Sequence, residues 1–358
     1  MQYLRDTACQ GGGLKEQGGD VSHDIISRLL YPVSPNEFLE RFWGRRYLSV
    51  NGWEDRLSGL FSLDRFWQLL ESAPKEADSP ATLPRKGLLV RAWFGRGSRQ
   101  LIIRPAEARR FYNEGASICV EGMATVDDQL ASIAFGLKQA LNLVGFVDPR
   151  VYLSPDGEGL AEHFDARIAT TLQVEGSKRW RFSTEPSVAW PRYQVSITSE
   201  GGCKPDRALR AWEQFKPFSE CECKELVLRP GDVLCLPAGS WHTAEAIGYS
   251  LAINFALDTP GGFLQTLTPM LDHVLAPKAE WRQCPPPFIK SDEVSPIPLH
   301  IEQFFRDRLD ELINLLTSIR ENPEEQRRLW LEFIKFYGRA QTTISRSRTT
   351  PSSRESGI

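Results

Sequence analysis

Two stretches of the sequence decide the fold. Residues 163–183 read HFDARIATTLQVEGSKRWRFS, and residues 229–257 read RPGDVLCLPAGSWHTAEAIGYSLAINFAL. Both are rich in β-branched and aromatic residues, and turn residues such as Glu175-Gly176-Ser177 divide them, which is typical of short antiparallel strands. Similar segments begin near residue 150, and the predicted strands include His163–Val174, Trp241–Ala246 and Tyr249–Leu257. The pattern therefore predicts an antiparallel barrel or a double-sheet sandwich over about 150–258.

The regions on either side of this segment are predicted to be largely helical. Ser62 precedes a helix-like pattern as an N-cap, and apolar residues from Leu130 to Val144 follow helical spacing. Apolar residues between Ile301 and Ile319 also recur every three or four positions. The predicted organisation comprises a disordered N-terminus at 1–22, a lead-in region at 23–149, the β-rich core at 150–260, a helical region at 261–340 and a disordered tail at 341–358.

Composition excludes several classes of protein. The chain has 358 residues, of which 41% are hydrophobic and 25% are charged, and its formal net charge is −3. This balance gives no support for a partner that is a nucleic acid or a membrane surface. No apolar run approaches the roughly 20 residues that span a bilayer, and no secretory signal is visible, so we expect a cytoplasmic protein. Seven irregularly spaced cysteines do not indicate a disulfide framework.

Three side chains in the β-rich segment have the chemistry of a metal site. His163 and Asp165 are two residues apart, so on a strand they would project from the same face. His242 follows the Pro237-Ala238-Gly239 turn and opens the next predicted strand. A lone His-x-Asp is common, but two imidazoles and one carboxylate in a single β domain form the ligand set of non-haem Fe(II) sites with open positions. No further catalytic side chain is predicted.

Four other residues are candidates for binding a co-substrate. On the strand predicted to return after the Glu175 turn, Lys178 would face inward, and a buried cation requires an anion such as the distal carboxylate of 2-oxoglutarate. The alternative is that Lys178 is a surface charge. Asn254, flanked by apolar residues, would bind the other carboxylate or pair with backbone. Ser154 and Thr171 are weaker candidates for the same pocket.

These residues carry a resemblance to a known family. The runs around His163-Phe164-Asp165, Lys178 and His242 resemble the JmjC-type cupin oxygenases, most closely the branch of ribosomal-protein hydroxylases and asparaginyl hydroxylases. The resemblance implies a mainly β fold with α elements, in which a double-stranded β-helix (cupin or jelly-roll) core lies between helical regions. It implies Fe(II), 2-oxoglutarate and dioxygen, with His163, Asp165 and His242 on iron and with Lys178 and Asn254 on the co-substrate.

The implied function is hydroxylation of an amino-acid side chain in a protein, peptide or amino-acid-derived metabolite, with release of succinate and CO2. Two alternatives are N-demethylation by the same chemistry and a catalytically silent metal-binding cupin. Ala246 stands where the cupin pattern often has asparagine, and no winged-helix pattern is visible near the C-terminus. Ribosomal substrates are therefore favoured no more than other peptides or metabolites. The apolar stripe from Ile301 to Ile319 predicts either a homodimer or intramolecular packing.

Overall fold

The structure is a computed structural model of the chain. It describes the residues in the following ranges: 21–52, 59–73, 87–97, 99–141, 143, 147–197, 203–204, 214–257, 262–287 and 298–332. The N-terminal segment and tail predicted to be disordered lie almost wholly outside these ranges, so their disorder stays a prediction. The first helix begins at Val21, two residues before the boundary drawn from the sequence.

Helices occur on both sides of a β-rich centre. The α-helices are α1 (Val21–Leu30), α2 (Pro35–Glu37), α3 (Leu63–Glu71), α4 (Ala108–Asn113), α5 (Asp128–Ala140), α6 (Gly262–Leu275), α7 (Ala279–Arg282) and α8 (Leu299–Glu321). Short 3-10 or π turns lie at Phe38–Phe42, Pro105–Glu107, Met123–Thr125 and Phe218–Glu220. Residues 323–332 are also helical.

Twelve strands are found in the described residues. They are β1 (Leu48–Val50), β2 (Leu89–Phe94), β3 (Arg99–Ile103), β4 (Ser117–Glu121), β5 (Val147–Pro155), β6 (Gly159–Phe164), β7 (Ile168–Ser183), β8 (Val195–Ile197), β9 (Cys203–Lys204), β10 (Cys223–Leu228), β11 (Val233–Leu236) and β12 (His242–Leu257). All of their pairings are antiparallel.

The two longest strands belong to both layers of the fold. The first half of β7 and the second half of β12 lie in a sheet of order β1-β11-β7-β12-β5-β4-β2-β3. Their other halves pair with each other, with β10 and with β6, and β6 continues to β8 and β9. This arrangement confirms the predicted fold class, a mainly antiparallel double-stranded β-helix with flanking helices.

The predicted turn at Glu175-Gly176-Ser177 is wrong. The chain continues through these residues as one strand, β7, which contains an irregularity at Gly176 opposite Ser250. Gly176 has a φ of 65°, and a Cβ there would overlap the carbonyl oxygen of Tyr249. Glycine therefore bends the strand instead of reversing it, because β-bulges accommodate extra residues without ending the pairing.

Two other strand boundaries also differ from the prediction. The segments Trp241–Ala246 and Tyr249–Leu257 were predicted as separate strands, but they form a single strand, β12, that bends near Gly248. Conversely, the predicted strand His163–Val174 is broken, because β6 ends at Phe164 and β7 begins at Ile168. Asp165 therefore lies in a connection, and His163 and Thr171 occupy different strands.

Helix signals in the lead-in region are confirmed. The Ser62 Oγ accepts a hydrogen bond from the Arg65 N–H at 3.2 Å and caps α3. The buried Asp127 carboxylate accepts one from the Leu130 N–H at 2.8 Å and caps α5, which ends at Ala140 instead of Val144. Each cap satisfies a backbone donor that the helix itself leaves unpaired.

The lead-in region extends the β core. Strand β1 pairs with β11, and β2, β3 and β4 continue the sheet beyond β5. The Gly52 N–H donates to the Asp232 carboxylate at 2.7 Å, and the Leu63 N–H donates to Glu175 at 2.9 Å. One buried apolar cluster includes residues of both regions. Among the described helices, none is long and apolar enough to cross a membrane, and the cytoplasmic location stays a prediction.

Candidate active site

The structure brings together the three side chains predicted to bind metal. One potential ligand atom from each of His163, Asp165 and His242 lies within 4.8 Å of the others. The His242 Nε2 is 3.9 Å from an Asp165 carboxylate oxygen, and the two imidazole ring centres are 4.1 Å apart. His163 and His242 face each other across the β6–β12 pair. The arrangement suits a metal held by two nitrogens and one oxygen.

Backbone contacts orient both imidazoles. The Nδ1 of His163 lies 2.7 Å from the Ala161 carbonyl oxygen, and the Nδ1 of His242 lies 2.9 Å from that of Ser240. A carbonyl can only accept, so each Nδ1 carries the proton and donates it. The Nε2 atoms are then free to act as ligands, which is how a second hydrogen bond commonly fixes metal-binding histidines.

The local electrostatics favour the protonation states that bind metal. Burial and the adjacent His163 lower the pKa of His242 to about 4. Burial acts to raise the pKa of Asp165, but the two imidazoles, Arg167 and Arg150 outweigh it, and the net effect is a lowered pKa. Near neutral pH, His242 is therefore neutral and Asp165 is a carboxylate, as metal ligation requires.

A cavity inside the barrel, which we call the inner cavity, extends from this triad. It occupies about 340 Å³, including the part that opens to solvent. Its lining residues are Tyr152, Leu160, His163, Asp165, Thr171, Lys178, Trp180, His242, Ala252 and Asn254. Three of the four residues predicted to bind a co-substrate therefore line the same cavity as the metal triad.

Lys178 is the most unusual side chain of the inner cavity. It is only 1% exposed, and burial lowers its pKa to about 8. The Nζ donates to the Ser154 Oγ at 3.3 Å, and Ser154 in turn bonds to Ser117 at 2.9 Å. Among the described residues, no carboxylate forms an ion pair with Lys178. A buried ammonium of this kind is costly unless an anion joins it.

Asn254 lies beside Thr171, its partner on β7. The Nδ2 of Asn254 donates to the Thr171 Oγ1 at 3.3 Å, while the buried Oδ1 has no partner in the part of the chain that the structure describes. If the amide were turned by 180°, the Thr171 hydroxyl would donate to Oδ1, and Nδ2 would need an acceptor. A ligand carboxylate in the inner cavity would provide that acceptor.

The remaining candidates have different positions. Ser154 is buried and supports Lys178 from outside the cavity lining. Trp180 lines the cavity, and its buried Nε1 has no hydrogen-bond partner among the described residues. Trp241 and Phe182 are packed in apolar clusters, and Trp190 is 48% exposed.

A second, larger cavity of about 980 Å³, including open space, also reaches the triad, at His163 and Asp165; we call it the outer cleft. It shares five lining residues with the inner cavity: Tyr152, Leu160, His163, Asp165 and Asn254. Its other lining residues are Arg91, Trp93, Gln100, Cys119, Glu121, Arg150, Arg167, Ala169, Gln194 and Ala256.

Sequence reasoning missed this cleft. Arg91 faces Cys119 across β2 and β4, and Cys119 faces Tyr152 across β4 and β5. Arg150 and Tyr152, at alternate positions of β5, were a signal, because alternation marks one face of a strand. Only the order of strands in the sheet places that face beside the triad.

Comparisons with known proteins agree with this geometry. The JmjC domain family matches residues 129–262. Ribosomal oxygenase 1 of Gallus gallus is 28% identical over 276 residues, which cover 73% of this chain and 41% of that protein. The uncharacterized protein YxbC of Bacillus subtilis (strain 168) is 26% identical over 243 residues, covering 67% of this chain and 72% of that protein.

Solved structures share the fold. The ribosomal oxygenase YcfD of Escherichia coli has a TM-score of 0.53 and 18% identity, covering 84% of this chain and 71% of that one. A second YcfD structure, in complex with cobalt and 2-oxoglutarate, has a TM-score of 0.52 and the same identity over 85% and 71%.

The chain spans less than half the length of ribosomal oxygenase 1 of Gallus gallus. It also covers only 35% of the bifunctional lysine-specific demethylase and histidyl-hydroxylase NO66 of Drosophila grimshawi. The family match nevertheless covers β6, β7, β11 and β12, the strands that form the triad and the inner cavity. The resemblance drawn from the sequence is confirmed, because residues 129–262 match the JmjC domain family.

Proposed function

We propose that this chain is an Fe(II)- and 2-oxoglutarate-dependent oxygenase that hydroxylates a side chain of a protein substrate. One observation carries the proposal: a buried lysine with no carboxylate partner among the described residues lines the same cavity as a His-Asp-His triad. The triad suits Fe(II), and the lysine suits an anionic co-substrate. A silent metal-binding cupin has no need of that buried cation.

In this proposal, Fe(II) would bind to His163, Asp165 and His242, and it would supply dioxygen activation coupled to the conversion of 2-oxoglutarate into succinate and CO2. Lys178 holds the distal carboxylate of 2-oxoglutarate. Asn254, with its amide turned as described, donates to the other carboxylate. The buried Trp180 and the half-buried Leu160 keep water away from the reacting groups.

The choice of a protein substrate is supported by the relatives. They include ribosomal oxygenase 1 and a bifunctional lysine-specific demethylase and histidyl-hydroxylase, names that describe enzymes acting on protein side chains. YcfD, which shares the fold, has been solved in complex with cobalt and 2-oxoglutarate, and this supports a metal ion and the same co-substrate for this chain. The outer cleft offers a route by which a side chain would reach the triad.

The decisive experiment is an anaerobic titration of the metal-free protein with Fe(II) and then 2-oxoglutarate, followed by measurement of succinate after exposure to oxygen. We expect succinate formation that requires iron. His163→Ala should abolish it, whereas His273→Ala, a change of an exposed histidine, should leave it intact. Metal binding without 2-oxoglutarate binding would refute the proposal and favour the silent cupin.

We also propose that α8 mediates a homodimer. Five apolar residues on this helix are exposed: Leu299, Phe305, Leu309, Ile313 and Leu316. Of the stripe predicted from the sequence, only Ile301 is fully buried within the chain. Pairing of two such helices would remove the exposed apolar surface from water. Light scattering on the wild-type protein should give the mass of two chains. The double variant Leu309→Glu with Ile313→Glu should give the mass of one chain. A monomeric wild-type protein would refute the dimer.

A further inference from the structure

Arg167 lies where a substrate would approach the metal triad. It follows Asp165 by two residues in the connection between β6 and β7, and its side chain is partly buried. It lines the outer cleft but not the inner cavity. Its charge contributes to the lowered pKa of Asp165, which agrees with its position near that carboxylate. A group bound to Arg167 would therefore lie close to the metal position.

The other two arginines of the outer cleft already have carboxylate partners. Arg91 pairs with Glu121. Arg150 lies 3.3 Å from Glu121 and 2.9 Å from Asp148. These four groups balance in charge, so neither arginine needs an external anion.

Arg167 does not belong to this network of ion pairs. Among the described residues, its side chain forms no ion pair or hydrogen bond, and the nearby Asp165 would be occupied by the metal in the proposed enzyme. Of the arginines that line the cleft in the described part of the chain, Arg167 is therefore the one without a carboxylate partner. A partly buried guanidinium gains most from a planar anion, because it can donate two parallel hydrogen bonds to a carboxylate.

The rest of the outer cleft is also suited to a polar ligand. Gln100 and Gln194 line it, and among its described lining residues the large apolar side chains are those of Trp93 and Leu160. It lacks the mainly apolar lining that would favour an aliphatic substrate residue. The inner cavity has its own cation, Lys178, so the two cavities provide separate positions for two different anions.

We propose that Arg167 binds a carboxylate of the substrate, and that the substrate is an acidic segment of polypeptide with an aspartate or glutamate beside the residue that enters the triad. This inference rests on the proposed function, because that function places a polypeptide in the outer cleft. Arg167 is then a residue that determines specificity, and the lining residues Gln100 and Gln194 bind polar groups of the same segment.

The test is affinity selection of a random 12-residue peptide library on the full-length protein loaded with Mn(II), without oxygen, in the presence and absence of 2-oxoglutarate. Wild-type protein should enrich peptides that contain aspartate or glutamate. Arg167→Gln should reduce that enrichment at least tenfold, as expected for the loss of the charge-assisted hydrogen bonds to the carboxylate. Arg167→Glu should shift the enrichment to lysine and arginine.

Two further variants show whether a loss of enrichment comes from Arg167 itself or from a general change in fold or surface charge. Arg167→Lys keeps the charge and should retain the acidic preference in part, while its melting temperature reports whether the fold is intact. Arg179→Gln removes an exposed arginine elsewhere on β7 and should leave the enrichment unchanged.

The inference would be overturned if wild-type protein enriched no acidic peptides, or if Arg167→Gln kept the full preference. Displacement of the peptides by millimolar free glutamate would overturn the assignment to a polypeptide. A failure of 2-oxoglutarate to bind, measured by calorimetry, would refute the proposed function instead; the selection without 2-oxoglutarate would still test Arg167.

Discussion

Lys178 is a single residue whose buried charge costs stability in the ligand-free protein and would favour the binding of an anion. The protein keeps an ammonium in its interior with one hydrogen bond to Ser154, and burial lowers its pKa to about 8. Such a group lowers the stability of the ligand-free protein, because charge is poorly solvated there. The same group is pre-positioned for a carboxylate, so binding would recover the cost.

A first prediction follows for Lys178→Met. The substitution removes a buried charge and keeps a similar volume, so we expect the melting temperature to stay the same or to rise. Binding of 2-oxoglutarate to the Mn(II)-loaded protein should weaken at least tenfold, because the carboxylate loses its cation. Calorimetry measures the binding and differential scanning fluorimetry the stability. A variant that binds 2-oxoglutarate as well as wild type would contradict this role.

A second prediction concerns pH. The carboxylate of a ligand stabilises the protonated lysine, so the protonated form of Lys178 is the form that binds. Since the pKa of Lys178 is about 8 in the ligand-free protein, the affinity for 2-oxoglutarate should be constant below about pH 7. It should fall as pH rises through 8, by up to about tenfold per pH unit. Calorimetry between pH 6.5 and 9.5 tests this, and Lys178→Met should show no such fall.

At the scale of elements, the two 16-residue strands β7 and β12 determine the geometry of the site. Each passes from one sheet layer to the other at a glycine with positive φ, Gly176 in β7 and Gly248 in β12. The bend in β7 separates Thr171 from Lys178 along the strand while both residues still line the inner cavity. A reversal at Gly176 would have placed these residues on separate hairpin arms.

The third prediction tests this bend. Gly176→Ala should lower the free energy of unfolding by about 2–4 kcal/mol, because the new Cβ would overlap the Tyr249 carbonyl and the positive φ is strained. Gly157→Ala is the matched control, since Gly157 also has a positive φ but has no atom within 4 Å of the added Cβ. It should cost only about 1–2 kcal/mol. Urea denaturation measures both; equal losses would show that the close approach at Gly176 is unimportant.

At the scale of the whole molecule, the lead-in region and the JmjC core share one sheet and one apolar cluster. Strand β4 pairs with β5, so the outer cleft is built partly from residues of the lead-in region. The domain boundary drawn at residue 150 from the sequence therefore crosses a continuous sheet, and we propose that the two regions unfold together.

A fourth prediction uses hydrogen exchange to test whether the lead-in region and the β-rich core unfold cooperatively. Mn(II) and 2-oxoglutarate at about 100 times their dissociation constants should stabilise the protein by about 2.7 kcal/mol for each ligand. If the regions unfold together, amides of β4 and α5 should gain as much protection as those of β7. A gain confined to residues 147–257 would show that the lead-in region is a separate folding unit.

The sequence by itself determined the chemistry and the class of fold. His163, Asp165 and His242 were identifiable because few residue types bind metal and these three occur beside turn signals in a β-rich segment. The cap at Ser62 was also identifiable, because capping depends on side chains within a few residues. These features are local, so a linear pattern is enough to reveal them.

Only the tertiary structure decided the course of the long strands and the composition of the outer cleft. Gly176 looks like a turn in the sequence, but its conformation is set by β12, which pairs with β7 on both sides of the bend. Arg91, Arg150 and Arg167 are far apart in the chain, and their meeting depends on the order of strands in the sheet. Long-range pairing leaves no fixed spacing in the sequence, which is why the sequence reveals the triad but not the cleft.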